Sequence, residues 1–134
     1  MAIEMQGLCP LLQVFDMPTS LRFYRDILGF EVVSTSLPRG PDDLDWAWLK
    51  RNDAAVMLNT RYEFDSRPVA PDPASARIHD DIGLFIGCPE VDSAYTELRG
   101  KGLDLNHPKV APYGMKQLYL KDPDGYGICL QWTV

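Results

Sequence analysis

The chain repeats itself. Pro18 is followed by Ser20, Phe23, Tyr24 and Ile27, with Gly29 beyond. At an offset of 71, Pro89 is followed by Val91, Ala94, Tyr95 and Leu98, with Gly100 and Gly102 beyond. The spacing i, i+3, i+4, i+7 is one stripe of a helix. Proline near each start and glycine past each end mark the helix limits. Further on, Asn52–Asn59 aligns with Asp124–Gln131 at an offset of 72. Two segments in register at nearly one offset predict two copies of one structural unit.

Short runs rich in β-branched and aromatic residues surround the two helices and read as strands. Leu11–Phe15 precedes the first helix and Ile82–Ile86 the second. Glu31–Ser36, Leu44–Lys50 and Ala54–Asn59 follow the first; Leu103–Asn106, Lys116–Lys121 and Ile128–Thr133 follow the second. Asp122-Pro123-Asp124-Gly125 has the proline and glycine placement of a type I turn. Each half therefore reads βαβββ. One helix per four strands is too few for a doubly wound sheet, so the class is α+β. The expectation is a single domain over residues 1–134, with module one at about 8–60, a linker at 61–80 and module two at 81–134. The linker holds Pro68, Pro71 and Pro73 and shows no periodicity.

Composition excludes several partners. Thirteen basic and nineteen acidic residues give a net charge of −6 without a Lys/Arg run, so the basic footprint of a nucleic-acid or anionic-membrane surface is missing. No apolar stretch approaches a membrane span. Glu4 with no Lys or Arg at the N-terminus does not resemble a secretion signal. Three cysteines without metal-finger spacing point to a reducing, cytoplasmic setting.

Val14-Phe15-Asp16-Met17-Pro18, Phe23-Tyr24 and Leu28-Gly29-Phe30 resemble the first module of the vicinal oxygen chelate superfamily, which includes glyoxalases, bleomycin-resistance proteins and extradiol dioxygenases. Tyr113-Gly114-Met115 and Asp122-Pro123-Asp124-Gly125-Tyr126 resemble its second module. The resemblance implies paired βαβββ modules, each curling a sheet around a cavity, and modules that face each other within a chain or across a homodimer.

The resemblance also locates where metal-using members place His, Glu or Gln. Here those positions fall on Cys9, Met57, Cys129, and either Asp81 or Gly83. This is no octahedral oxygen and nitrogen set. A soft Cys–Asp–Cys zinc site is allowed by chemistry, but Cys9 and Cys129 read more simply as small buried hydrophobes. No cofactor is expected, and a divalent metal is the alternative. Of the histidines, His79 reads as a linker residue beside Asp80 and Asp81, and His107 as solvent-facing. The run Asp42, Asp43, Asp45 reads as a solvated acidic turn.

Strand alternation assigns the cavity lining. Met57 shares a face with Ala55 and Asn59, Cys129 with Gly127 and Gln131, and Cys9 with Leu11, Gln13 and Phe15. With a four-residue hairpin loop around Arg51 and Asn52, Trp46 pairs opposite Met57 and Trp48 opposite Ala55. The candidate ligand-binding residues are Gln13, Trp46, Trp48, Met57, Asn59 and Gln131, an apolar lining with a few polar guides. Packing explains each apolar residue singly, but not three amides on faces that should be buried.

Two functions from different classes follow. One is a metal-free binding protein of the bleomycin-resistance type, sequestering a planar small molecule, with the acidic charge suiting a cationic guest. The other is a lyase, isomerase or dioxygenase with an atypical metal site or with Asp81 as a base, because a carboxylate in an apolar pocket gains basicity. No nucleophile–base pair strengthens the second, and the binding protein is the preferred reading.

Overall fold

In the computed structural model, which describes residues 2–134, the chain divides into two compact units, Met1–Arg67 and Pro68–Val134. The first contains β1 (Leu11–Val14), α1 (Met17–Leu21), β2 (Glu31–Thr35), β3 (Trp46–Arg51) and β4 (Ala54–Thr60). Its sheet runs β1-β4-β3-β2, with β1 parallel to β4 and the other pairs antiparallel. The second unit contains α2 (Pro73–His79), β5 (Gly83–Gly87), α3 (Val91–Gly100), β6 (Lys109–Val110), β7 (Met115–Lys121) and β8 (Gly127–Thr133). Its order is β5-β8-β7-β6, with β5 parallel to β8. The repeat read from the sequence is therefore a repeat of strand order and direction, and the class is α+β.

Local chemistry sets the first helix. Asp16 caps α1 by accepting from the Thr19 amide at 3.1 Å, and Pro18 stands in the first turn. The helix continues as π-helical turns over Arg22–Ile27. Gly29, at φ 86°, ends it, while the Phe30 amide donates back to the Tyr24 carbonyl at 2.9 Å. Met17, Leu21, Phe23 and Tyr24 bury against the sheet side formed by Leu12, Val14, Ala47, Leu49, Val56 and Leu58. In the second unit Val91 and Leu98 of α3 are buried, as are Leu118, Leu120 and Ile128 of the sheet. Each large aliphatic so buried contributes about 1.5–3 kcal/mol.

Three expectations need correction. The β3–β4 hairpin loop has two residues, Asn52 and Asp53, because Arg51 pairs with Ala54. Asn52 supplies the positive φ, 51°, that so tight a turn needs. Trp46 thus stands opposite Asn59 and Trp48 opposite Met57. The shift is two residues, an even number, so both indoles keep the face expected of them.

Leu103–Asn106 is not a strand. The Leu103 amide returns to the Leu98 carbonyl at 3.1 Å, and Arg99 donates to the Leu105 carbonyl at 3.3 Å. The segment closes the end of α3, and edge pairing begins only at Lys109.

The linker, read as lacking periodicity, contains α2. Asp72 caps it by accepting from the Ala74 amide at 3.0 Å, with Pro73 in the first turn. No helix among the described residues is long and apolar enough to cross a membrane.

Candidate functional site

In each unit one side of the sheet is covered by a helix and the other is open. On the open side of the first sheet lie Leu11, Gln13, Trp46, Trp48, Met57 and Asn59, none of them buried. Five of the six candidate ligand-binding residues thus share one face. Asn59 Nδ2 donates to Gln13 Oε1 at 3.3 Å and to the Thr60 carbonyl. Ser36 Oγ accepts from the Asp45 and Trp46 amides at 3.0 and 3.1 Å, which fixes where β3 begins and so where Trp46 points.

The sixth candidate, Gln131, lies on the open side of the second sheet, within a hydrogen-bonded layer. Gln117, 7% exposed, donates from Nε2 to Gln131 Oε1 and to the Tyr113 hydroxyl, each at 2.9 Å. Its Oε1 accepts from the Tyr119 hydroxyl at 3.1 Å. Tyr119 stands opposite Cys129, and Phe85 flanks Cys129 from β5. Their rings meet edge-on at 6.3 Å and are 56% and 59% exposed for Phe85 and Tyr119. Burial pushes the Cys129 thiol up, partly offset by hydrogen bonding with Tyr119. Loss of surrounding water, and then Cys129, raise the Tyr119 phenol, so it stays a neutral donor.

An open cavity of about 830 Å³ in this unit is lined by Phe85, Tyr119 and Cys129, by Leu103 and Leu105, and by Asp80, Asp81, Asp104 and Lys121. Lys121 pairs with Asp80. None of the six candidates lines this cavity. The sequence reading missed Phe85, Tyr119, Gln117 and Tyr113. The repeat itself held the signal for two of them, since Tyr119 and Gln117 stand 71 positions after Trp48 and Trp46.

The positions where metal-using relatives place ligands do not fit a metal. Cys9 lies ahead of β1, Met57 brings a thioether and Gly83 no side chain, and Asp81 is exposed in the turn before β5. Cys129 is buried. Among the described residues no three His, Cys, Asp or Glu side chains converge. His79 is buried as the last residue of α2, stacked on Tyr126 at 4.0 Å with Nδ1 at 2.7 Å from the Asp124 carbonyl. His107 is exposed beside Tyr95. The acidic turn is ion-paired: Arg25 of the π-helical turns pairs with Asp42, and Arg39 with Asp43 and Asp45.

These features can be set beside known proteins. The chain is 24% identical over 127 residues to virulence protein STM3117 of Salmonella typhimurium, covering 86% of this chain and 75% of that one. The crystal structure of STM3117 matches with a TM-score of 0.67 at 22% identity over 100% of both chains. TnmS3, an antibiotic-binding protein from Streptomyces sp. CB03234, matches with a TM-score of 0.69 at 24% identity, covering 100% of this chain and 99% of that one. A bleomycin-binding protein solved with bleomycin matches with a TM-score of 0.70 at 17% identity, covering 97% and 100%. At such identities the structural likenesses establish the fold. Residues 8–130 match the Glyoxalase/Bleomycin resistance protein/Dioxygenase superfamily, and the chain belongs to it.

Proposed function

We propose that this protein binds and sequesters a planar small molecule, without a metal, as a homodimer in a reducing, cytoplasmic setting. The observation that carries the reading is the open side of each sheet, where aromatic rings lie beside ordered amides: the half-buried Trp46 and Trp48 with Gln13 and Asn59, the exposed Phe85 and Tyr119 with Gln117 and Gln131. Ligand sites combine apolar surface with a few oriented polar groups in this way. Exposed rings favour a flat guest through stacking. The lack of a convergent ligand set among the described residues favours binding over metal-assisted chemistry, and two structural relatives are named for binding bleomycin or an antibiotic.

The test is tryptophan emission during titration with a panel of planar aromatic compounds, with and without EDTA. Saturable quenching by at least one compound, unchanged by chelator, is the expected result. A panel that leaves emission flat, or binding that EDTA abolishes, overturns the reading.

A further inference from the structure

One buried amide holds two tyrosines of the second unit in place. Gln117 gives one hydrogen of Nε2 to Gln131 Oε1 and the other to the Tyr113 hydroxyl oxygen, while its Oε1 accepts from the Tyr119 hydroxyl. Tyr119 stands two residues along β7 and so on the same side of the sheet. Tyr113 reaches back from the turn ahead of β7, where Gly114 has a φ of 84°. Both residues are largely in solvent, 59% exposed for Tyr119 and 70% for Tyr113. Rings so exposed gain little hold from packing. The Cys129 thiol, which also neighbours the Tyr119 hydroxyl, is a weak hydrogen-bond partner. The first sheet is built differently: the cross-strand pair equivalent to Gln117 and Gln131 is Trp46 and Asn59, so an indole occupies the position of the buried amide.

We infer that Gln117 is a positioning residue of the ligand surface: it fixes Tyr113 and Tyr119, one by each end of its amide, so that a flat guest meets rings already oriented. This rests on the binding role proposed above and names the residue on which the second sheet's part in it depends. Gln117 acts through the tyrosines, because a side chain 7% exposed with both donor hydrogens committed has little to offer a guest directly. A side chain ordered before binding spares the complex the cost of ordering it. Tyr119 also meets Phe85 edge-on at 89°, a geometry that depends on ring orientation and that is lost once the hydroxyl is released.

The experiment compares Gln117→Met, which keeps the length of the side chain and removes its hydrogen bonds, with Gln117→Glu. A carboxylate only accepts, but both tyrosine hydroxyls can donate to it and the Gln131 amide can turn its NH2 group toward it, so the hold on the rings survives. Proton NMR without ligand is expected to show cross-peaks between the Tyr119 and Phe85 rings in the wild type and Gln117→Glu, and to lose them in Gln117→Met. Acridine, titrated by calorimetry, is expected to bind Gln117→Glu about as tightly as the wild type. It should bind Gln117→Met about fivefold more weakly, the cost of ordering one side chain on binding. Tyr119→Phe leaves the buried position untouched and keeps the test available if Gln117→Met folds poorly. It should also weaken acridine binding, and by no further step when combined with Gln117→Met, because both break one bond. Ring contacts unchanged in Gln117→Met, or acridine affinity equal in all variants, overturns the positioning role and leaves the planar-ligand reading standing. A wild type that binds neither acridine nor the wider panel overturns the binding role itself.

Discussion

Gln117 and Gln131 are cross-strand partners on β7 and β8, and the Nε2 of the first donates to the Oε1 of the second at 2.9 Å. In a double-mutant cycle, Gln117→Leu and Gln131→Leu are expected to show a coupling of about 0.5–1.5 kcal/mol in urea unfolding, the usual net worth of such a bond. Additivity within about 0.3 kcal/mol would mean that the two amides do not hold each other in solution.

Trp46 and Trp48 stand on the open side of their sheet, whereas Leu58 is 0% exposed on the helix side. Leu58→Ala is expected to cost about 2–5 kcal/mol of stability. Trp46→Ala and Trp48→Ala are expected to cost under about 1.5 kcal/mol each while weakening ligand binding, since few helix contacts are lost. Melting curves beside titrations separate the two effects. If both tryptophan variants melt as early as Leu58→Ala and bind normally, the indoles are packing residues.

The chain expects a partner for its open apolar surface. Leu11 is 48% exposed on the first sheet and Phe85 56% exposed on the second, and exposed apolar faces of this kind commonly mark interaction sites. A symmetric homodimer is the expected assembly. Light scattering at micromolar concentration should report about twice the 15.1 kDa chain mass, and a value near one chain mass argues against it.

Gly125 tolerates no side chain. Its φ is 90°, and a Cβ there would lie 2.7 Å from the Ala76 carbonyl oxygen of α2. Gly125→Ala must therefore distort the Asp122–Gly125 turn and push α2 away at once. The expected loss is roughly 1–3 kcal/mol, from backbone strain alone at the lower end. Thermal unfolding of the variant checks it, and an unchanged melting temperature would show that α2 does not pack there.

Acid should destabilise the first unit through identified carboxylates. Arg25 donates to both Asp42 oxygens, at 2.9 and 3.0 Å, and holds that carboxyl below its ordinary range. Arg39 does the same to Asp45. Burial raises the Asp16 carboxyl, but hydrogen bonds from Thr19 and Arg67 outweigh this and leave it lowered. A carboxyl lowered in the folded state stabilises it above the unfolded value, near pH 4, and loses that contribution as pH falls through the folded value. Urea unfolding between pH 5 and pH 2 should show this decline, and Asp42→Asn should flatten part of it. A parallel slope in the variant would remove Asp42 from the account.

The sequence by itself determined the repeat, because helical stripes, caps and turns are local. Pro18 and Asp16 at one helix start, Gly29 at its end and the Asp122–Gly125 turn each state a backbone geometry that only short-range contacts need to satisfy. It also determined which side of β3 and β4 is open, since alternation survives any even slip in register. That is why Trp46 and Trp48 keep the expected face although their partners are Asn59 and Met57. Tertiary structure decided what depends on long-range pairing. The hairpin length rested on whether Asn52 would accept a positive φ, and Leu103–Asn106 was claimed by the end of α3 instead of by β7. Whether Gln117, Gln131, Tyr113 and Tyr119 are separate polar residues or one directed layer depends on strands that meet only in the folded sheet. A hydrogen bond has a direction only once both partners are in place, so the chemistry this surface offers a ligand was settled by the fold.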